Sequence, residues 1–221
     1  MKYIVWHDND YDFAHWICKN TVLDSCDVEL RSLPATNSKS SIMKSFSEEF
    51  TRPVLPLIKY ETPDIIIEEI DKQDFKVLCV LEFMTHTPQW QHPAQRYSRI
   101  YNSATLGVPC ALVLPRKKMK EEKGRGNEYK SVSYMCSPSV YSLFLDTSRK
   151  FGSPALLFHW PDKDGYLKFD EYHPTAPLRE KDIEELCKYV NLCVVKKGKL
   201  EQKNYDHVLT LMASNTNGTP V

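Results

Sequence analysis

Between Phe75 and Met84 the chain is apolar on both alternating sets of positions: Val77, Cys79, Leu81 and Phe83 interleave with Leu78, Val80, Glu82 and Met84. Successive side chains of extended backbone point to opposite faces, so this run predicts an interior strand covered above and below. The isoleucine-rich stretch Asp64–Ile70 predicts its neighbour, joined through the polar turn Asp71-Lys72-Gln73-Asp74, and Leu57–Glu61 reads as a further extended piece before Pro63. After a loop at His86–Gln91, Tyr97, Ile100, Tyr101 and Ala104 recur at helical spacing. Pro93 suits the first turn of that helix and Gly107 its end. Cys110–Leu114 predicts a third strand, closed by Pro115. A strand–helix–strand crossover needs parallel strands while the tight turn needs antiparallel ones, so the core is a mixed sheet flanked by helices.

The flanks are less regular. Tyr3–Trp6 predicts a short strand and Asp12–Lys19 a helix with Phe13, Trp16 and Ile17 on one side. Residues 31–41 read as a loop and Ser41–Phe50 as a short helix. Arg116–Lys130 is basic and reads as a solvated loop. Beyond it come a helix around Ser139–Phe144, a strand at Ala155–Trp160, a turn at Asp162–Gly165, a last helix over about Glu180–Cys193 and a polar tail from Asn215. The whole, 1–221, is expected to form one domain, with a core over about 41–115 and a C-terminal elaboration over about 131–213.

With 42% hydrophobic and 26% charged residues the chain can bury a core, which argues against global disorder. No apolar run approaches the roughly 18–20 residues of a membrane span, and the start is too short for a secretion signal, so a cytosolic protein is expected. Seven cysteines without a close pair argue against a disulfide framework or a structural zinc site. Lys+Arg and Asp+Glu both total 29, which removes the basic excess of a dedicated nucleic-acid-binding domain but leaves room for an enzyme whose acidic site offsets basic flanks.

Glu82 is the first candidate for chemistry. A carboxylate within a strand that is apolar on both faces is costly unless it is paired, protonated or bound to a cation. Asp64 raises the same problem ahead of Ile65-Ile66-Ile67. Each alone is most simply a structural carboxylate; two that meet on neighbouring strands would repel, and a divalent cation would relieve that repulsion. Mg²⁺ takes such oxygen ligands and activates a bound water.

Pro63-Asp64, then 17 intervening residues, then Glu82 on the next strand, followed by a helix and a strand, forms a narrow ordered pattern. The stretch Pro63–Pro115, about a quarter of the chain, resembles the core of the PD-(D/E)xK nuclease superfamily, whose fold is restriction-endonuclease-like. The run from Leu81-Glu82-Phe83-Met84-Thr85-His86-Thr87 through Gln91-His92-Pro93-Ala94-Gln95-Arg96 to Gly107-Val108-Pro109 shares that likeness. The resemblance implies a metal-dependent DNA endonuclease of restriction or defence type, with Asp64 and Glu82 holding Mg²⁺ or, as a substitute, Mn²⁺. Glu49, or its neighbour Glu48, would be a further ligand. Where the family places lysine, this chain has Met84. Lys76 shares the strand face but lies six residues before Glu82, about 20 Å away. Thr85 and Gln91, close to the strand end, or Gln95, Arg96 and Arg99 on the following helix, are the candidate replacements; an arginine there would hold a phosphate. Asn102 shares a helix face with Gln95 and Arg99, at i, i+4 and i+7.

Weaker candidates complete the set. Glu68 shares the parity of Asp64, although distance argues against direct ligation. His86 and His92 read more simply as loop or cap residues, and Pro161-Asp162 as part of a turn. Arg99, Lys117, Lys118 and Lys120 are expected to meet DNA, with specificity drawn from the C-terminal half, a homodimer or a separate recognition subunit. The reading from another class is a non-catalytic DNA-binding or assembly module that keeps the nuclease fold, for which Met84 is the main support; a third is an RNA- or nucleotide-directed hydrolase using the same acids.

Overall fold

The computed structural model describes residues 1–8, 11–33, 50–59, 61–84, 91–118, 122–123, 129–130, 133–134, 138–162 and 181–216. At its centre is a mixed sheet flanked by helices. Its strands are β1 (Lys2–His7), β2 (Asp27–Ser32), β3 (Ile65–Asp71), β4 (Asp74–Phe83), β5 (Cys110–Lys118), β8 (Ser133–Tyr134) and β9 (Ala155–Asp162). They run in the order β2-β1-β3-β4-β5, with β8 and β9 both pairing with β5. A separate two-stranded ribbon joins β6 (Glu122–Lys123) to β7 (Tyr129–Lys130). The helices are α1 (Tyr11–Lys19), α2 (Leu55–Ile58), α3 (Gln91–Thr105), α4 (Pro138–Phe151), α5 (Lys181–Val195) and α6 (Asp206–Thr216).

The central prediction holds in detail. β3 and β4 are antiparallel, β4 and β5 are parallel across the α3 crossover, and Val77 through Phe83 are all buried. Both faces of β4 are covered by different helices. Phe13 of α1 stacks on Phe83 with ring centroids 3.8 Å apart, while Glu82, of opposite parity, meets α3. α5 lies near α1, because Asn191 accepts a hydrogen bond from the Val22 amide in the turn that follows α1 at 2.8 Å. Phe13 and Phe83 are each 1% exposed, so Phe13→Ala opens a cavity in a packed layer. The expected loss is about 3–5 kcal/mol, to be read from urea unfolding.

Two of the glycines with positive φ end helices that frame the β4 strand. Gly107 ends α3 at φ +70°, as its position predicts. Gly198 follows α5 at φ +68°, and a Cβ there would stand 3.0 Å from the Leu78 carbonyl oxygen. No side chain fits between that turn and the β4 backbone.

Several elements differ from the sequence reading, which lacks the short strands β6, β7 and β8. The Leu57–Glu61 extended piece is replaced by the short helix α2, where Pro56 occupies the first turn and its missing N–H costs nothing. β2 is absent from that reading, although Val28 and Leu30 alternate with Asp27, Glu29 and Arg31. β5 runs on to Lys118 through the expected basic loop, because backbone pairing with β8 and β9 is indifferent to side-chain charge. α6 is absent from it as well; its Val208, Leu209 and Met212 are buried. The Ser41–Phe50 helix falls, apart from Phe50, outside the described residues, as does most of the Asp162–Gly165 turn.

Candidate functional site

Strand pairing alone brings the two candidate acids together. Ile65 sits opposite Leu81, so Asp64 and Glu82 are the next pair towards the end of the sheet. The Asp64 amide donates to Glu82 Oε1 at 3.2 Å, and the Phe83 amide donates to Asp64 Oδ2 at 2.6 Å. Asp64 is 3% exposed and Glu82 0%. The crossover geometry then lays α3 over the pair, with Arg96 and Arg99 one helical turn apart on the side that faces it.

Both guanidinium groups bridge both carboxylates. Arg96 Nη1 lies 2.8 Å from Asp64 Oδ1 and 3.1 Å from Glu82 Oε2. Arg99 Nη1 lies 3.2 Å from Asp64 Oδ1 and 3.0 Å from Glu82 Oε2. Arg99 Nε is also 3.4 Å from Glu61 Oε2, which accepts a 2.5 Å hydrogen bond from Ser98. A turn further on, Asn102 donates to the carbonyls of Pro56 and Leu57, which fixes α3 to α2. The Asp8 amide donates to the Asp64 carbonyl at 2.9 Å, placing a fourth acid beside the cluster.

Burial pushes the Glu82 carboxyl well above the usual glutamate range, and the neighbouring Asp64 pushes it further, while Arg99 and Arg96 pull it back. Asp8 is shifted upward by burial and by Asp64, against the same two arginines. For Arg96, burial opposes the charge, but the Asp64 and Glu82 carboxylates outweigh it and the guanidinium is held more firmly protonated than usual. The centre is therefore a compact carboxylate–guanidinium cluster, closed by charge-assisted hydrogen bonds.

This arrangement corrects the expected Mg²⁺ site, and with it the roles of Asp64 and Glu82 as metal ligands. Among the described residues no group of three or more His, Cys, Asp or Glu side chains is placed to hold a metal ion. The oxygens that would turn towards a cation are taken up by two guanidinium groups instead. The donor set does not fit Mg²⁺ or Mn²⁺. Glu48 and Glu49 lie outside the described residues, as do Thr85, His86 and Lys120. Gln91, His92 and Gln95 are described in the α3 backbone only, and Lys117 and Lys118 in the β5 backbone only.

The remaining candidates are dispersed. Met84 is 5% exposed, as an apolar residue closing a core strand. Lys76 stands at the far end of β4, where burial and then Lys199 lower its pKa and Glu69 opposes them. Glu68 lies on the Asp64 face but forms a separate buried centre, accepting hydrogen bonds from Trp6 Nε1 at 3.0 Å and from Thr51 Oγ1. Burial raises its pKa, against Thr51, Trp6 and Arg31. Glu68→Ala strands the buried Trp6 indole N–H and leaves the half-buried Thr51 hydroxyl without its acceptor, and is expected to cost about 1–3 kcal/mol, with Glu68→Gln costing less. Thermal unfolding followed by tryptophan emission distinguishes the two.

Asp8 and Glu61 are the site residues that sequence reasoning missed. Each sits close to an element end that the sequence does mark, Asp8 after the first strand and Glu61 three positions before Asp64. No protein-family model matches the chain, and no curated protein matches it significantly.

Proposed function

We propose that this chain is a DNA-binding module built on a restriction-endonuclease-like fold, whose acid pair is neutralised internally and does not cut. The observation that carries the reading is the double bridge from Arg96 and Arg99 to Asp64 and Glu82. Hydrolysis of a phosphodiester needs an activated water and an electrophile beside the phosphate. Here the carboxylates are committed to guanidinium groups, and Met84 stands where a proton-handling lysine belongs. The cluster serves as a staple between α3 and the β3–β4 edge.

DNA is the favoured partner because of what surrounds that edge. β5 is parallel to β4 and continues past Phe83, so the backbone of Arg116, Lys117 and Lys118 lies beyond the β4 end that carries Glu82, still paired with β8 and β9. The β6–β7 ribbon adds Lys123 and Lys130 to the same stretch of chain. A basic stretch of backbone beyond that strand end suits the phosphate backbone, whose binding is dominated by counterion release.

Fluorescence anisotropy with a labelled duplex tests this. Binding is expected at low salt and should weaken steeply as salt rises. Lys117→Glu/Lys118→Glu should lower the slope of log affinity against log salt by about 1 for each phosphate that β5 no longer neutralises. Absence of binding at low salt would remove DNA from the reading.

A second reading is favoured by the convergence of Asp64 and Glu82 at one strand end. On that reading the chain is a DNA endonuclease of restriction or defence type, acting alone or as the cleavage part of a larger enzyme.

A further inference from the structure

β2 forms one end of the sheet, and among the described residues no strand pairs with its outer edge. An open edge presents unpaired backbone N–H and C=O groups and is a ready template for another strand. Asp27, Glu29 and Arg31 alternate with Val28, Leu30 and Ser32, so one face of β2 is charged and the other is mainly apolar. Val28 and Leu30 pack against the core from half-buried positions. On the charged face Glu29 is bound by Lys2 at 2.6 Å and by Arg31 at 2.6 Å, and the Arg31 guanidinium lies over the Trp6 ring at 5.4 Å.

We propose that two copies of this chain pair through their β2 edges, antiparallel, about a twofold axis at Leu30. A twofold perpendicular to the sheet keeps like faces on the same side, so residues of equal parity must stand opposite one another. That leaves four central registers, centred on Val28, Glu29, Leu30 or Arg31. Centring on Val28 sets Asp27 against Glu29, centring on Glu29 sets Glu29 against itself, and centring on Arg31 sets Arg31 against itself; like charges directly opposite destabilise a ladder. Centring on Leu30 sets Glu29 of each copy against Arg31 of the other, twice by symmetry. It also sets Leu30 on Leu30 and Val28 on Ser32. This register opposes no like charges, and it extends the Glu29–Arg31 attraction already present within each chain. The occupant is a second copy because the strand is complementary to itself. The contact is small, so the dimer is weak and depends on concentration.

Sedimentation velocity over a wide concentration range should show wild-type protein passing from monomer to dimer. Glu29→Arg and Arg31→Glu should each weaken association by about tenfold, because both cross-strand pairs become repulsive. Mixing the two variants should restore a dimer that contains one chain of each, identified by native mass spectrometry. In that mixed dimer the two arginines on the β2 strand of one chain meet the two glutamates on the β2 strand of the other. Amide exchange supplies a readout without substitution: the β2 amides should gain protection as wild-type protein is concentrated. A wild-type chain that stays monomeric at high concentration would overturn the proposal. So would charge variants that dimerise as well as wild type, or β2 amides whose protection is independent of concentration.

Discussion

Arg96→Ala/Arg99→Ala is expected to destabilise the fold by about 3–5 kcal/mol, the range for stripping the partners from a buried charge. Glu82 is 0% exposed and meets a charge-compensating partner only through these two guanidinium groups among the ion pairs described. Each single substitution should cost less than half of that, because the arginine side chains are 33% and 20% exposed and the remaining one still spans both acids. Adding Glu82→Gln to the double variant should recover much of the loss by removing the stranded charge. Urea unfolding of wild type and these variants decides the matter. A double variant within about 1 kcal/mol of wild type would show that the cluster is not a structural staple.

The second large effect is a dependence on pH that Glu82 controls. Its carboxyl holds a proton to higher pH in the folded chain than in the unfolded one. The folded state therefore binds more protons as pH rises above the ordinary glutamate range, and unfolding free energy falls until the folded group has ionised. Burial of Asp8 and Glu68 acts in the same direction. Buried His7 acts the other way, since its lowered pKa makes the fold more stable as pH climbs towards the usual histidine range. Glu29, held down to about 2 by its hydrogen bonds from Arg31 and Lys2, affects only the acid side below its ordinary value. Comparison of wild type with Glu82→Gln isolates the one group. Wild type should lose stability relative to the variant as pH is raised from about 5 to about 8. A difference that is constant across that range would mean that Glu82 is already ionised at its acid end.

Much of this site is legible in the sequence. Asp64 and Glu82 stand out because acids do not belong among Ile65, Ile66, Ile67, Leu81 and Phe83 without a partner, and the β3–β4 pairing sets them side by side. Helical spacing singles out Arg96 and Arg99, yet for phosphate rather than for the acids. Sequence gives the face on which a helical residue lies but not how deeply the helix sits on the sheet. At this depth the guanidinium groups reach the carboxylates, and the expected cation is displaced by the chain's own arginines. β2 and α6 carry readable patterns of alternation and helical spacing, but each is short and draws its stability from packing on elements distant in sequence. The extension of β5 is set by backbone pairing, which leaves no mark in side-chain polarity.

Incubation of supercoiled plasmid with the purified chain in buffer containing magnesium tests the central claim most directly. A centre neutralised by Arg96 and Arg99 predicts plasmid that is bound but neither nicked nor linearised, with Asp64→Asn indistinguishable from wild type. Nicking by the wild-type chain that disappears in both Asp64→Asn and Glu82→Gln would contradict it and establish an endonuclease.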